Sequence, residues 1–544
     1  GRHELTSEKR KNFSLVSIKI SLSIKRNEGM NMRVTNVMMT NNMKSNINAN
    51  KNHLSDLEQQ QSTGKKIQRP SDDPIIAVRA LKLRTSVSEI TQYYERNIPD
   101  ARSWMKVTET ALGRMDDVYN SINTYCVQGA NDPLTAEDRT SVVQNLEELC
   151  AQIYQEGNSD YAGRYVFTGF KTDTSLTFDN DCNHLKYTIT EHLPATDIAL
   201  HTYVEGSYAL SAYDPTDPDQ NVFAEAPTKK ECYRMQLSYT DLLNADDPEL
   251  LVTTNGTEEE PEVTSYSMTS MLSTDQNAYA PEEGDIYFLY DTGEIIFGSE
   301  VYNTVRLADD FSVTYQKSQF SKGDTRPQHY FDCTSVELNQ TGEEGEIGEE
   351  IEGTTIEYNL SQYGDAGQTI DYEVSFSQNL QVNVLAKDCI GNAMKRSVDD
   401  IIDAVNDVTA TEEKIAQANK MLEEDGISEE QSNALKKMIE QMETEKVLKT
   451  KIMQERFSKG ITVSATWENI VNRATADIGS RAVRLNLTES RMQDQQLTFT
   501  DLLTTNEDAD LAETIINLGS ANNVYQASLN AASKVVKNSL MNFI

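Results

Sequence analysis

The chain has 544 residues, 86 of them acidic and 49 basic, for a net charge of −37. That balance repels phosphate backbones, so no nucleic acid partner is expected. Hydrophobic residues make up 38%, no apolar run nears the roughly 18 residues a membrane helix needs, and no membrane insertion is expected; the length suggests about two to four structural units.

Residues 1–31 read as a leader. Ile18, Ile20, Leu22 and Ile24 alternate with polar neighbours as in a strand, and Lys19 interrupts what could have been a signal-peptide core. Glu28-Gly29 must be encoded by a purine run two codons before Met32, so the natural start is expected at Met32, with residues 1–31 non-native or without fixed structure.

Residues 32–160 read as a helical segment. From Met43 the seam positions step by four and three through Ile47, Asn50, Leu54, Leu57 and Gln61, a coiled-coil period diluted by Asn and Gln. Gly64 is placed to end that helix, and Arg69-Pro70 forces an extended corner. Ser71 or Asp72 is expected to cap the next helix, with Pro74 in its first turn. The same spacing resumes through Ile76, Ala80, Leu83, Val87, Ile90 and Tyr94, and Pro99 should then kink or break the helix. Met105, Thr108, Leu112, Met115, Tyr119, Ile122 and Cys126 predict another helix. Thr135 with Asp138 forms a capping box for a last one, carried by Val142, Leu146, Leu149 and Ile153 to Gly157.

Residues 161–388 change to period two and predict a β-rich insert: GRYVFTGF, IYFLYDTGEIIFG and FSVTYQ are rich in aromatic and branched residues, and Asp291-Thr-Gly293 signals a hairpin. Acidic loops, TEEEPE and TGEEGEIGEEIEG, interrupt them. Residues 389–460 return to helix, with Gly426-Ile-Ser428 joining two charged helices as a hairpin capped by Ser428. Residues 461–544 carry two long seams. One runs Val471, Ala474, Ile478, Arg481, Leu485, Thr488, Met492, Gln495, Phe499 and Leu502; the other runs Leu511, Ile515, Leu518, Asn522, Tyr525, Leu529, Ala532, Val536, Ser539 and Phe543.

The expected fold class is therefore α+β: a long antiparallel helical coiled coil or bundle formed by the N- and C-terminal segments, with a central β-rich insert. A lone helix this polar is marginal in water. Each fully covered Leu, Ile or Val contributes roughly 1.5–3 kcal/mol, and the Asn, Gln, Thr and Ser positions contribute little. The inner seams are expected to close on each other within the chain. The outermost are expected to pack between subunits, with Met43, Ile47, Leu54, Leu57, Leu511, Ile515, Leu518, Tyr525, Leu529, Val536 and Phe543 as the assembly seam.

No catalytic, cofactor-binding or metal-binding residues are predicted, and an enzyme is not expected. Cys126, Cys150, Cys182, Cys232, Cys333 and Cys389 are too scattered for a disulfide framework or zinc site. His184, His192 and His201 have no H-E-x-x-H or C-x-x-C company, and the acidic loops lack the ligand order of a calcium loop.

Several stretches carry a resemblance to the flagellin superfamily, and within it to its hook-associated junction branch. They are MRVTNVMMTNNM (32–43), QSTGKKIQRPSDDP (61–74), DARSWMKVTETAL (100–112), GRYVFTGFKT (163–172), FSKGDTRPQHYFDC (320–333), DIGSRAVRLNLTESR (477–491) and NEDADLAETIINLGSANNVYQASLNAASKVVKNSL (506–540). The resemblance implies a structural part of an extracellular bacterial flagellum that joins hook to filament. It also implies passage through the flagellar export channel without a cleaved signal. The implied partners are other copies of the chain, the first hook-associated protein, flagellin and a dedicated export chaperone. A filament subunit is the nearest alternative. The leader, the acidic loops and the charged hairpin have no counterpart in the simplest members of the superfamily.

Overall fold

The computed structural model describes residues 36–131, 134–206, 210, 226–244, 248–257, 260–275, 277–339, 348–360, 368–423 and 427–541. The leader, Met32, residues 258–259 and 341–347 of the two acidic stretches, and Gly426 lie outside the described residues; TEEEPE, expected as a loop, places Thr257 and Glu260 in paired strands. The fold is α+β, with helical ends and a β-rich middle. The chain divides into two compact units, one made of residues 1–89 and 494–544, the other of residues 90–493.

In the first unit α1 (Asn36–Thr63) stops where the sequence says it should. Gly64 takes φ +69°, a left-handed conformation that costs a Cβ-bearing residue energy, and donates its N–H to the Gln60 carbonyl at 2.8 Å. The restart differs from expectation by one residue. α2 (Pro74–Gln92) is capped by Asp73, whose Oδ1 accepts from the N–H groups of Ile75 at 2.9 Å and Ile76 at 3.2 Å. Asp72 ties the corner in front of it, accepting from the N–H of Arg69 at 2.8 Å and Gln68 at 3.2 Å. With Pro74 as the first helical residue, only the residue directly before it can reach the free donors of the first turn.

A second corner faces the first. Helix α7 (Glu429–Glu507) ends there, and the last helix, α8 (Leu511–Met541), starts after a break capped by Asp510, which accepts from the N–H of Ala512 and Glu513 at 2.9 and 3.1 Å. The corners are joined by an antiparallel bridge: the Lys66 N–H donates to Glu507 O and the Ala509 N–H donates to Gly64 O, both at 2.8 Å. Helix α8 packs alongside α1.

In the second unit the chain passes Pro99 without a break. Tyr93–Asn97 form a π-helical turn that runs directly into α3 (Ile98–Ala130), with the Ile98 N–H donating to the Tyr93 carbonyl. A wider turn relieves the clash a proline ring makes with the carbonyl four residues back, so the expected kink becomes a local bulge. α4 (Ala136–Gly157) opens on the predicted capping box of Thr135 and Asp138. α6 (Ala393–Glu423) and α7 (Glu429–Glu507) follow the insert, and Ser428 caps α7 by accepting from the Gln431 N–H at 3.1 Å. Every predicted seam position of α3 from Met105 to Cys126 is buried, in one core with Val142, Leu146 and Ile153 of α4, Val398 and Ile401 of α6, and Phe457, Val471, Ile478 and Leu485 of α7.

Among the described residues the insert holds two main sheets and a short helix, α5 (Ser299–Val305). One sheet orders β13 (Ile356–Tyr358), β12 (Asp332–Glu337), β3 (Leu185–Leu193), β11 (Asp310–Lys317), β6 (Glu249–Thr257) and β7 (Glu260–Ser267). The other orders β4 (Ala199–Glu205), β5 (Thr228–Gln236), β10 (Glu294–Phe297), β9 (Ile286–Leu289) and β8 (Thr269–Met271). Tyr187, Ile189, Phe311 and Val313 of the first sheet share a core with Met235, Phe288, Ile295 and Phe297 of the second. The β9–β10 hairpin turns at Asp291–Gly293 as predicted. Gly293 has φ +64°, and a Cβ there would lie 2.0 Å from the Tyr239 carbonyl oxygen. GRYVFTGF, in contrast, is mostly turn. Only Arg164–Tyr165 is strand, as β2 against β1 (Asp160–Tyr161), because Gly163 and Gly169 both adopt positive φ.

His329 is buried and donates its Nε2–H to the Ser175 carbonyl at 3.1 Å, and burial pushes its pKa down to about 4. A histidine depressed in the folded state contributes stability that is fully present above its unfolded pKa of about 6.5 and is lost as pH falls towards about 4, for a full effect of about 3 kcal/mol. His329→Gln is therefore expected to flatten the fall in denaturant midpoint between neutral and mildly acidic pH. Parallel profiles for parent and variant would remove His329 as a cause.

Candidate functional site

His192 pairs with Asp310 at 2.7 Å, His201 stacks on Tyr279 beside Arg456, and His184 lies 3.8 Å from the Cys182 sulfur, so the three histidines occupy separate places. Among the described residues no three His, Cys, Asp or Glu side chains assemble as a metal site, and no helix is long and apolar enough to cross a membrane. All six cysteines are buried free thiols. Burial pushes the Cys126, Cys150, Cys232 and Cys333 thiols up to about 12, the opposite of what a nucleophile needs.

The predicted assembly seam lies on the terminal helices. The structure divides the predicted seam. Leu57 is buried, while Met43, Ile47 and Leu54 of α1, with Leu518 and Tyr525 of α8, are half-buried. Leu511, Ile515 and Leu529 of α8 remain 50%, 53% and 42% exposed. The Val536 side chain and Phe543 lie outside the described residues. Thr514 and Ala521, which spacing did not single out, are the buried residues of α8 among those described. The less exposed positions of α8, Thr514, Leu518, Ala521 and Tyr525, recur every three or four residues along the helix that packs alongside α1, and Leu511, Ile515 and Leu529 are left to solvent. The pairing is thin: a cavity of about 300 Å³ lined by Asn50, His53, Asn517, Ser520, Ala521 and Val524 lies between the two helices.

Ile516 and Val524 are also exposed on α8, Ile75, Val78 and Leu81 on α2, and Val37, Met38 and Met39 at the start of α1. Scattered apolar surface residues are ordinary; Leu511 with Ile515, and Ile75, Val78 and Leu81, stand out because they follow one another on successive helix turns.

Residues 34–172 match the family described as the bacterial flagellin N-terminal helical region. The N-terminal helical part of the chain is therefore similar to that of bacterial flagellins. The chain is also similar to flagellar hook-associated protein 3. It is 31% identical to that of Salmonella typhimurium over 146 residues, 26% of this chain and 45% of the relative, and 32% identical to that of Escherichia coli over 119 residues, 22% and 37%. Flagellin of Clostridium tyrobutyricum is 27% identical over 128 residues, 24% of this chain and 34% of that protein. The matched stretch thus spans less than half the length of these curated relatives.

Proposed function

We propose that the chain is a non-enzymatic structural subunit of the bacterial flagellum that joins hook to filament. The observation that carries this reading is the combination of a flagellin-type N-terminal helical region with terminal helices that leave apolar rows uncovered in the lone chain. On this reading the assembly seam, from Met43 to Leu57 and from Leu511 to Phe543, lets the terminal helices pair as an antiparallel coiled coil and packs that pair against other copies of the chain. The first hook-associated protein lies on one side of the joint and flagellin on the other. The subunit works outside the cell, reaches its place through the flagellar export channel without a cleaved signal, and is held until delivery by an export chaperone that covers the C-terminal helix. The segments 32–160 and 461–544 build the polymer; the β-rich insert, 161–388, and the helical segment 389–460 are additions to it.

A second reading, a filament subunit, is favoured by the likeness to flagellin. Deleting the gene separates the two. A junction subunit leaves hooks bare in electron micrographs with flagellin monomers secreted into the medium. A strain that loses its filament protein while its junction stays complete would overturn the junction reading.

A further inference from the structure

Beneath the backbone bridge between the two corners lies a set of charges that spacing did not reveal. Glu507 is 5% exposed although it ends a helix. Arg84 of α2 donates to both of its carboxylate oxygens, Nε to Oε2 at 3.1 Å and a terminal nitrogen to Oε1. Lys65 Nζ lies 3.4 Å from Glu507 Oε1 and donates to Asp508 Oδ1 at 2.6 Å. Around this core Asn506 Nδ2 donates to the Ile76 carbonyl at 3.2 Å, and Lys66 Nζ to the Thr505 carbonyl. Exposed ion pairs contribute little, but a forked guanidinium on a carboxylate withdrawn from water is different in kind: removing either partner leaves the other stranded.

The position of this cluster gives it a task. Asp508–Asp510 are the whole connection between α7 and α8, and Thr514 and Ala521 are the residues of α8 that are fully buried among those described. Three residues of break and a loosely packed helix would pivot freely without a clamp.

We propose that Glu507 is a positioning residue: with Arg84 and Lys65 it forms a charge-locked joint that fixes the direction in which α8 leaves the corner and holds it along α1, with the Leu511, Ile515 and Leu529 row presented to a neighbour. That the neighbour is another flagellar subunit rests on the junction reading; the joint itself does not.

The test uses purified full-length monomer, limited proteolysis under native conditions, and mass spectrometry to locate cuts within residues 505–541. Glu507→Gln and Arg84→Gln are each expected to raise the rate of cutting there at least about tenfold. Their combination should add no more than about twofold to the stronger single, because both remove one interaction. About 1 M salt should speed cutting of the parent and leave the double variant unchanged. Arg84 has a side chain 57% exposed, so Arg84→Gln leaves the cores untouched should Glu507→Gln fail to fold. Singles within about twofold of the parent, or a double whose effect is the product of the singles, would overturn the joint. Because the readout is a lone monomer, it stands or falls separately from the outcome of the gene deletion.

Discussion

Replacing Arg234 with methionine is expected to cost about 3 kcal/mol of stability, the lower end of the range for breaking a buried ion pair. Arg234 sits on β5 with 3% of its surface exposed, and donates to Glu294 Oε1 of β10 at 2.6 Å and to Asp400 Oδ1 and Oδ2 of α6 at 3.0 and 2.7 Å. Its charge holds the Asp400 carboxyl well below the usual carboxylate range despite the burial that opposes it. Methionine fills the volume and leaves two carboxylates facing each other out of water. The cost stays at the lower end because Asp400 keeps Gln236 Nε2 at 3.0 Å and Lys459 Nζ at 3.7 Å. The denaturant midpoint followed by circular dichroism reads this out, and a loss under about 1 kcal/mol would show that water reaches the site. Replacing all three members, Arg234→Met with Glu294→Leu and Asp400→Leu, is expected to recover only part of the loss, since it removes the facing carboxylates but takes Asp400 away from Lys459 and Gln236.

The second large effect falls on assembly and leaves the monomer alone. Ile515→Asp with Leu529→Asp places two charges on the α8 face at positions 53% and 42% exposed in the lone chain, so the monomer should unfold within about 0.5 kcal/mol of the parent. In a polymer each of these side chains would lose roughly 1.5–3 kcal/mol of burial and impose the desolvation of a carboxylate as well, repeated at every subunit. A strain carrying only this variant is expected to show bare hooks and secreted flagellin, as the deletion does. Filaments of normal length and number on those hooks would mean that this face of α8 meets solvent in the flagellum as it does in the monomer.

These two expectations differ in how far the sequence could have led to them. The row from Leu511 to Leu529 is legible as a 3.5-residue period, because neighbours on successive helix turns are neighbours in sequence. Which of its members the chain covers by itself was not legible. Thr514 and Ala521 are small, carry no apolar signal, and are buried because α1 comes close there. Arg234 and Asp400 stand on elements 166 residues apart, and nothing in either neighbourhood marks one as the other's partner.

What the sequence determined by itself is what short-range sterics and local hydrogen bonds decide. That includes the stop at Gly64, the capping box at Thr135, the hairpin at Asp291–Gly293, and the unbroken run of buried seam positions from Met105 to Cys126. The tertiary structure decided the matters that depend on which distant group arrives at a given place. It moved the cap to Asp73, carried the helix past Pro99 on a π turn, set the strand order of the insert, and withdrew Glu507 from water between Arg84 and Lys65. A backbone preference acts over one or two turns of chain, whereas the burial of a charge depends on the whole arrangement that supplies its partner.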